Sequence, residues 1–142
     1  LANKINNLQD QDNIILTIPL SPYRCPPGPY ERVSLIASYI KRNNLKSKIV
    51  VLDANQKVVS KGSLFKKAWE DLYNNIIFYY VDSQIRAINT KEKKVFTDFD
   101  VFDYSIANIV PNQKAPDFLS NAGLIQSGRK WAPVNPYDFT SK

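Results

Sequence analysis

The sequence predicts an α/β fold in which a parallel βαβ sheet is followed by an antiparallel hairpin. Two apolar runs rich in β-branched residues, residues 13–20 and 48–54, lie on either side of a helical pattern. In that pattern apolar side chains recur at i, i+3, i+4 and i+7, from Val33 to Ile40. A strand, a helix and a second strand in this order imply a parallel pair with a right-handed crossover, as in a Rossmann-like domain.

The remaining elements follow from periodicity along the chain. The first helix is predicted over residues 29–43, because Pro29 suits a first helical turn. A second helix over residues 63–74 is predicted to bury an apolar set that consists of Leu64, Phe65, Ala68, Trp69 and Leu72. From residue 85 onward, apolar residues recur at close to every second position, as in a β-strand. This pattern predicts the hairpin over residues 85–96. The other predicted elements are a short helical segment at 1–8, strands at 76–81 and 104–110, and a helix at 116–121.

Composition narrows the chemistry available to this chain. Its 142 residues include no histidine and a single cysteine. These counts exclude a Ser-His-Asp triad, a Cys-His pair, an internal disulfide and a metal site built from histidines or several cysteines, so no metal is predicted. No apolar run approaches the ~20 residues of a membrane span, so none is predicted. The chain starts with Leu1, which we interpret as the start of a piece of a longer protein.

The chain is basic, with 19 Lys+Arg against 13 Asp+Glu and a formal net charge of +6. The basic residues are scattered over predicted helix exteriors and a hairpin turn, without the aromatic and basic stripe of a nucleic-acid reader. We therefore predict no nucleic-acid partner. The positive surface suits either an anion or an acidic protein partner.

The densest candidate site is the proline-rich loop over residues 21–31, between the first strand and its helix. Ligands bind at this place in open parallel sheets. Four of the chain's 9 prolines lie in the loop, which makes it stiff. It has one glycine and lacks the Gly-x-Gly-x-x-Gly pattern, so no NAD site is predicted, and we interpret Asp53 as a strand-end cap.

Two residues of this loop are candidates for catalysis. Cys25 follows Arg24 and precedes a helix N-terminus, two features that favour a thiolate; the alternative is a buried structural cysteine. Glu31 lies in the first helical turn, where it either complements the helix dipole or accepts protons at a reacting centre. Composition leaves both readings of Glu31 open.

One run in this loop is highly specific, namely Cys25-Pro26-Pro27-Gly28-Pro29-Tyr30-Glu31. It resembles the flavoprotein subunit of flavocytochrome c sulfide dehydrogenase, a relative of sulfide:quinone oxidoreductases in the pyridine nucleotide-disulfide oxidoreductase superfamily. The similarity continues in order through Leu52-Asp53, Ala68-Trp69-Glu70, Asn108-Ile109-Val110-Pro111 and Trp131-Ala132-Pro133-Val134.

The resemblance implies that residues 1–103 form the second, NADH-binding-like domain of an FAD-dependent oxidoreductase. Residues 104–142 are then expected to form the returning strand of the FAD domain and the start of the C-terminal region. In this family the cysteine that matches Cys25 forms a redox disulfide beside the flavin, and the acid that matches Glu31 is the proposed proton acceptor. Pro111, Gln113 and Lys114 match a segment that runs close to the flavin ring.

The family passes electrons from sulfide through FAD to a c-type cytochrome subunit, which implies a periplasmic protein and a fragment that is inactive by itself. The sequence differs from the family at one important position: Ala132 stands where the family has the second redox cysteine. Either Cys25 works alone, or a resolving cysteine lies elsewhere, or this chain does not oxidise sulfide. The alternative function is a non-catalytic homologue that acts as a cytochrome-docking module.

Overall fold

A computed structural model describes residues 1–141, which form two compact units, one of Leu1–Pro111 and one that begins at Asn112. The first unit contains a four-stranded and a three-stranded sheet. Its elements are α1 (Ala2–Asn6), β1 (Asn13–Ile18), α2 (Gly28–Arg42), β2 (Lys48–Asp53), α3 (Gly62–Tyr73), β3 (Ile77–Tyr80), β4 (Ala87–Asn89), β5 (Lys94–Phe96), β6 (Val101–Asp103) and β7 (Ile106–Asn108). The family-derived division after residue 103 stays a prediction.

The larger sheet has the strand order β3-β2-β1-β7 and is parallel throughout. Ile14 of β1 pairs with Ile49 of β2 on one side and with Ile106 of β7 on the other. This confirms the predicted α/β fold with its parallel βαβ unit. Because all four strands run the same way, their carboxyl ends lie along one edge of the sheet.

Strand β1 is the centre of the core, as its run of apolar β-branched residues predicts. Five of its six residues are buried, and side chains from its two faces enter different clusters. Ile14 and Ile18 pack with Val33 and Ile40 of α2, whereas Ile15 packs with residues of β2 and β5. The sheet is therefore covered by α2 on one face and by the smaller sheet on the other.

The smaller sheet is antiparallel, with the order β4-β5-β6. The predicted hairpin is confirmed as β4 and β5, and Ile88 faces Val95 across it. A third strand that periodicity did not predict, β6, places Phe102 opposite Val95. A run of three residues is too short to show an alternating pattern. This segment is a strand because its backbone pairs with β5.

Helix α3 buries less than its sequence predicts. Trp69 is buried and Phe65 is partly buried, but Leu64 is 64% exposed and Leu72 is 51% exposed. The prediction that both leucines face inward was therefore wrong. Only a narrow stripe of the helix surface, which includes Trp69 and Phe65, packs against the rest of this unit. The two leucines lie outside that stripe.

The second unit contains one short helix, α4 (Asp117–Asn121), within otherwise irregular chain. Gly123 and Gly128 both have positive φ, +73° and +80°, a backbone conformation that favours glycine. Within residues 1–141 the structure contains no helix with the length and apolar character needed to cross a bilayer.

Candidate functional site

The proline-rich loop joins β1 to α2 at the carboxyl edge of the parallel sheet. Strand β1 has β2 on one side and β7 on the other, so the strand order reverses beside this loop. The crevice at such a reversal is where ligands bind in open α/β sheets. After β7 the chain passes close to β1, because Val110 donates its N–H to Thr17 Oγ1 at 2.7 Å. The structure thus places the loop and the residues after β7 at one end of the sheet.

Cys25 is an exposed, free thiol at this edge. Its backbone is left-handed, with φ of +55°, a conformation that is uncommon for a residue with a side chain. Its carbonyl accepts a hydrogen bond from Gly28 N–H at 2.9 Å, which closes a tight turn into α2. A Cβ added to Gly28 would come within 3.1 Å of the Cys25 sulfur. The glycine therefore leaves room for the thiol against the start of the helix, and the alternative of a buried structural cysteine was wrong.

Behind the loop lies a buried carboxyl group that belongs to Asp53, the last residue of β2. Its side chain is fully buried, and Oδ2 accepts hydrogen bonds from the hydroxyls of Tyr30 at 2.8 Å and Tyr79 at 2.7 Å. Oδ1 accepts two more, from the backbone N–H of Asn55 at 2.9 Å and from its side-chain amide at 2.7 Å. The predicted strand-end cap is confirmed by the Asn55 bonds, but it is one part of a larger network.

Sequence reasoning missed this network. Tyr30 belongs to the first turn of α2, Tyr79 to β3 and Asn55 to the turn after β2, so they are spread over fifty residues of chain. One signal in the sequence could have revealed the network: Asp53 ends a buried strand, but the loop beside it lacks the glycines of a dinucleotide site. Such an acid must find other donors, because a buried polar group without partners is costly.

The phenols around Asp53 hold their protons tightly. Burial raises the pKa of Tyr30 and of Tyr79 well above the ordinary tyrosine value, and their hydrogen bonds to Asp53 raise it further. Burial also raises the pKa of Tyr23, whose hydroxyl donates to the Pro26 carbonyl at 3.1 Å. Each of these hydroxyls therefore acts as a hydrogen-bond donor in the working pH range.

These shifts predict a loss of stability in alkali. The contribution is fully present below the unfolded tyrosine pKa of about 10, and it is lost as the pH rises towards the raised folded values. Tyr30 and Tyr79 should each steepen the fall in the free energy of unfolding by about 1.4 kcal/mol per pH unit above pH 10. Urea unfolding between pH 8 and 11 measures this slope. Tyr30→Phe should reduce this slope by one such increment, and a Tyr30→Phe slope equal to that of the unsubstituted protein would contradict the prediction.

Glu31 lies in the first turn of α2, as predicted, and its side chain is exposed. It lines an open surface groove whose other residues are Ser34, Leu35, Ser38, Phe65 and Tyr73. The next residue, Arg32, donates a hydrogen bond to the side-chain oxygen of Asn108 at 2.8 Å and so connects α2 to the end of β7. The role of Glu31 as a proton acceptor stays a prediction.

The three residues predicted to bind the cofactor lie in an extended segment after β7. Pro111 is exposed and ends the first unit. Gln113 and Lys114 belong to the second unit, where the Lys114 ammonium pairs with Asp117 at 2.5 Å. No observation tests whether these residues contact a flavin, so their role also stays a prediction.

The site does not fit a dinucleotide held by this domain. A pyrophosphate at the β1–α2 turn needs glycines that let it approach the backbone, and here the only glycine leaves room for the Cys25 thiol instead. The acid at the end of β2 cannot reach a ribose, because Asp53 is fully buried and already accepts four hydrogen bonds.

Fold and site together define a Rossmann-like domain that presents a thiol where its relatives with the glycine pattern bind a dinucleotide. The chain belongs to the family described as sulfide dehydrogenase (flavocytochrome c) flavoprotein chain, central, whose model matches residues 1–111. This confirms the resemblance read from the proline-rich run. By that description the family's members are flavoproteins.

Solved structures share the fold at low sequence identity. A chain in the mitochondrial ATP synthase of Tetrahymena thermophila is 19% identical with a TM-score of 0.67, over 94% of this chain and 34% of that one. An HOCl-induced flavoprotein disulfide reductase of Escherichia coli is 15% identical with a TM-score of 0.56, over 92% and 29%. A water-forming NADH oxidase of Lactobacillus brevis is 8% identical with a TM-score of 0.55, over 85% and 25%. The chain thus spans about a quarter to a third of the length of these structures.

Proposed function

We propose that this chain is the central, NADH-domain-like portion of an FAD-dependent sulfide dehydrogenase flavoprotein. In this proposal electrons pass from sulfide through the flavin to a c-type cytochrome subunit in the periplasm. The observation that carries it is the exposed thiol of Cys25 at the carboxyl edge of the sheet, in a family of flavoproteins. The disulfide reductase and the NADH oxidase with the same fold are consistent with an oxidoreductase.

The chemistry requires a sulfur atom at Cys25. When Cys25 Sγ forms a bond to the sulfur of hydrosulfide, the cysteine becomes a persulfide, and one proton and two electrons leave. The bound flavin would supply the acceptor for that electron pair. Glu31, six residues from Cys25 in the first helical turn, is proposed to take up the proton.

The remaining assignments rest on the family. Pro111, Gln113 and Lys114 are proposed to be the residues that would lie close to a bound flavin ring. Exposure of the thiol suits a substrate as small as hydrosulfide, which needs no deep pocket. The net charge of +6 favours approach of that anion and of an acidic cytochrome.

A second candidate function is a non-catalytic cytochrome-docking module. The observation that favours it is Ala132, which replaces the second redox cysteine and cannot form a disulfide. In this case the basic surface would bind an acidic cytochrome in a salt-sensitive manner, without any reaction with sulfide.

The visible spectrum of the full-length protein, before and after anaerobic addition of sulfide, tests the two candidates. Bleaching of a flavin band is the expected result, and it would show that the loss of the second cysteine at Ala132 is compensated. A flavin band that ignores sulfide would overturn sulfide as the donor. A protein that carries no flavin but binds an acidic cytochrome at low salt would favour the docking module.

A further inference from the structure

The loop that carries Cys25 is held at both of its ends by the same buried group. Its far end is Tyr30, which is fully buried and whose hydroxyl donates to Asp53 at 2.8 Å. The same hydroxyl accepts the backbone N–H of Val59 at 3.1 Å, so it cannot turn away without losing two bonds. Tyr30 is therefore fixed in place by residues after β2, at the point where α2 begins.

The near end of the loop is held through Asn55. Its side-chain amide donates to the Pro19 carbonyl at 3.0 Å, and its Oδ1 accepts the backbone N–H of Ser21 at 2.9 Å. Asn55 is in turn oriented by Asp53, which accepts its backbone and side-chain N–H groups. Both ends of the segment 19–30 thus depend on one carboxyl group.

Between these ends the chain has little freedom. Tyr23 is buried and its hydroxyl donates to the Pro26 carbonyl at 3.1 Å, which spans the residue that carries the thiol. Prolines at 22, 26, 27 and 29 restrict the backbone on both sides of Cys25. The position of the thiol then follows from where the two ends are fixed.

We propose that Asp53 is the positioning residue of the redox thiol, since it fixes Tyr30 and Asn55 and through them both ends of the Cys25 loop. Asp53 touches neither substrate nor flavin in this scheme. It occupies the strand-end position whose acid binds ribose in dinucleotide-binding domains. Here its two carboxylate oxygens instead accept hydrogen bonds from Tyr30 and Asn55, which hold the loop. The proposal rests on the proposed function only in taking Cys25 as the reacting thiol.

Two tyrosines allow a matched test, because both donate to the same oxygen of Asp53. Tyr30 belongs to the loop and α2, whereas Tyr79 belongs to β3 on the far side of the carboxyl group. Tyr30→Phe and Tyr79→Phe each remove one hydroxyl from Asp53 Oδ2, and Tyr30→Phe also removes the acceptor of the Val59 N–H, so Asp53→Asn is needed to assign the effect to the carboxyl group. If Asp53 acts on the thiol through the loop, only the first substitution should loosen the segment 19–30.

The experiment compares amide hydrogen exchange of the peptide that covers residues 20–30 in the full-length protein. Ser21 and Gly28 have hydrogen-bonded amides in this peptide and serve as reporters. Exchange should be about ten-fold faster in Tyr30→Phe than in Tyr79→Phe. With sulfide as substrate, kcat should fall about ten-fold in Tyr30→Phe with KM unchanged, and should stay within about two-fold in Tyr79→Phe.

Equal exchange in the two variants, or equal kcat, would overturn the positioning role and reduce Asp53 to a stabilising residue. Asp53→Asn should loosen the same peptide, and if that variant does not fold, equal exchange in the tyrosine pair still overturns the proposal. A wild-type protein without sulfide turnover would contradict the proposed function. The exchange comparison does not depend on turnover, so the two failures are distinguishable.

Discussion

Replacing Cys25 by serine is expected to abolish sulfide turnover in the full-length protein, with a loss of at least about 10³-fold. A hydroxyl cannot form the sulfur–sulfur bond that the proposed reaction needs, and this chain has no other sulfur atom. The measurement is the rate of flavin bleaching by sulfide under anaerobic conditions. The flavin band itself should survive, because Cys25 is exposed and serine is of similar size.

Cys25→Ala is the matched control for this experiment. It removes the sulfur without adding a polar group, so it should lose as much turnover as Cys25→Ser and retain the same unfolding midpoint. If either variant kept more than about a tenth of wild-type turnover, Cys25 would not be the reacting thiol. That outcome would show that another group reacts with sulfide, and it would contradict the role proposed for Cys25.

Asp53→Ala is expected to destabilise the first unit by about 3–5 kcal/mol. The substitution leaves the hydroxyls of Tyr30 and Tyr79 and two N–H groups of Asn55 without their acceptor, in a place that water does not reach. Each buried donor without a partner costs about 1–3 kcal/mol, and relaxation of the side chains recovers part of the sum. Urea unfolding measures the loss as a lower midpoint with an unchanged slope.

Asp71→Ala supplies the control, since it removes an aspartate that also accepts a hydrogen bond. Asp71 pairs with Lys67 at 2.8 Å on the outside of α3, where both side chains are more than half exposed. Such a pair contributes less than about 0.5 kcal/mol. If Asp53→Ala cost no more than Asp71→Ala, the buried network would have no energetic role.

Much of the fold follows from local patterns. The run from Ile14 to Ile18 has no polar face, and only a strand covered on both sides can bury it. The spacing from Val33 to Ile40 has one apolar face, and it became the buried face of α2. Such signals need no knowledge of distant residues, which is why they were read correctly.

The errors arise where a residue's surroundings are set by distant chain. Leu64 and Leu72 have the spacing of an inward face, but their exposure depends on how wide a surface the neighbours of α3 offer. The third strand of the smaller sheet exists because β5 had a free edge. Cys25 is a similar case, because a free cysteine is more often buried than exposed, and only the packed chain shows that this one is exposed.

The parallel α/β order, the lack of a dinucleotide glycine pattern and the family are all readable from the residues, because they depend on residue types at short spacing. The outward position of Cys25 and the gathering of Tyr30, Tyr79 and Asn55 around the Asp53 carboxyl group appear only when the chain is folded. Tyr30 and Tyr79 lie 23 and 26 residues from Asp53, a separation that leaves no periodic signal, and burial is a property of the packed chain. Because the strands run parallel, the carboxyl ends of β1, β2 and β3 lie along one edge of the sheet, where side chains from distant parts of the chain meet.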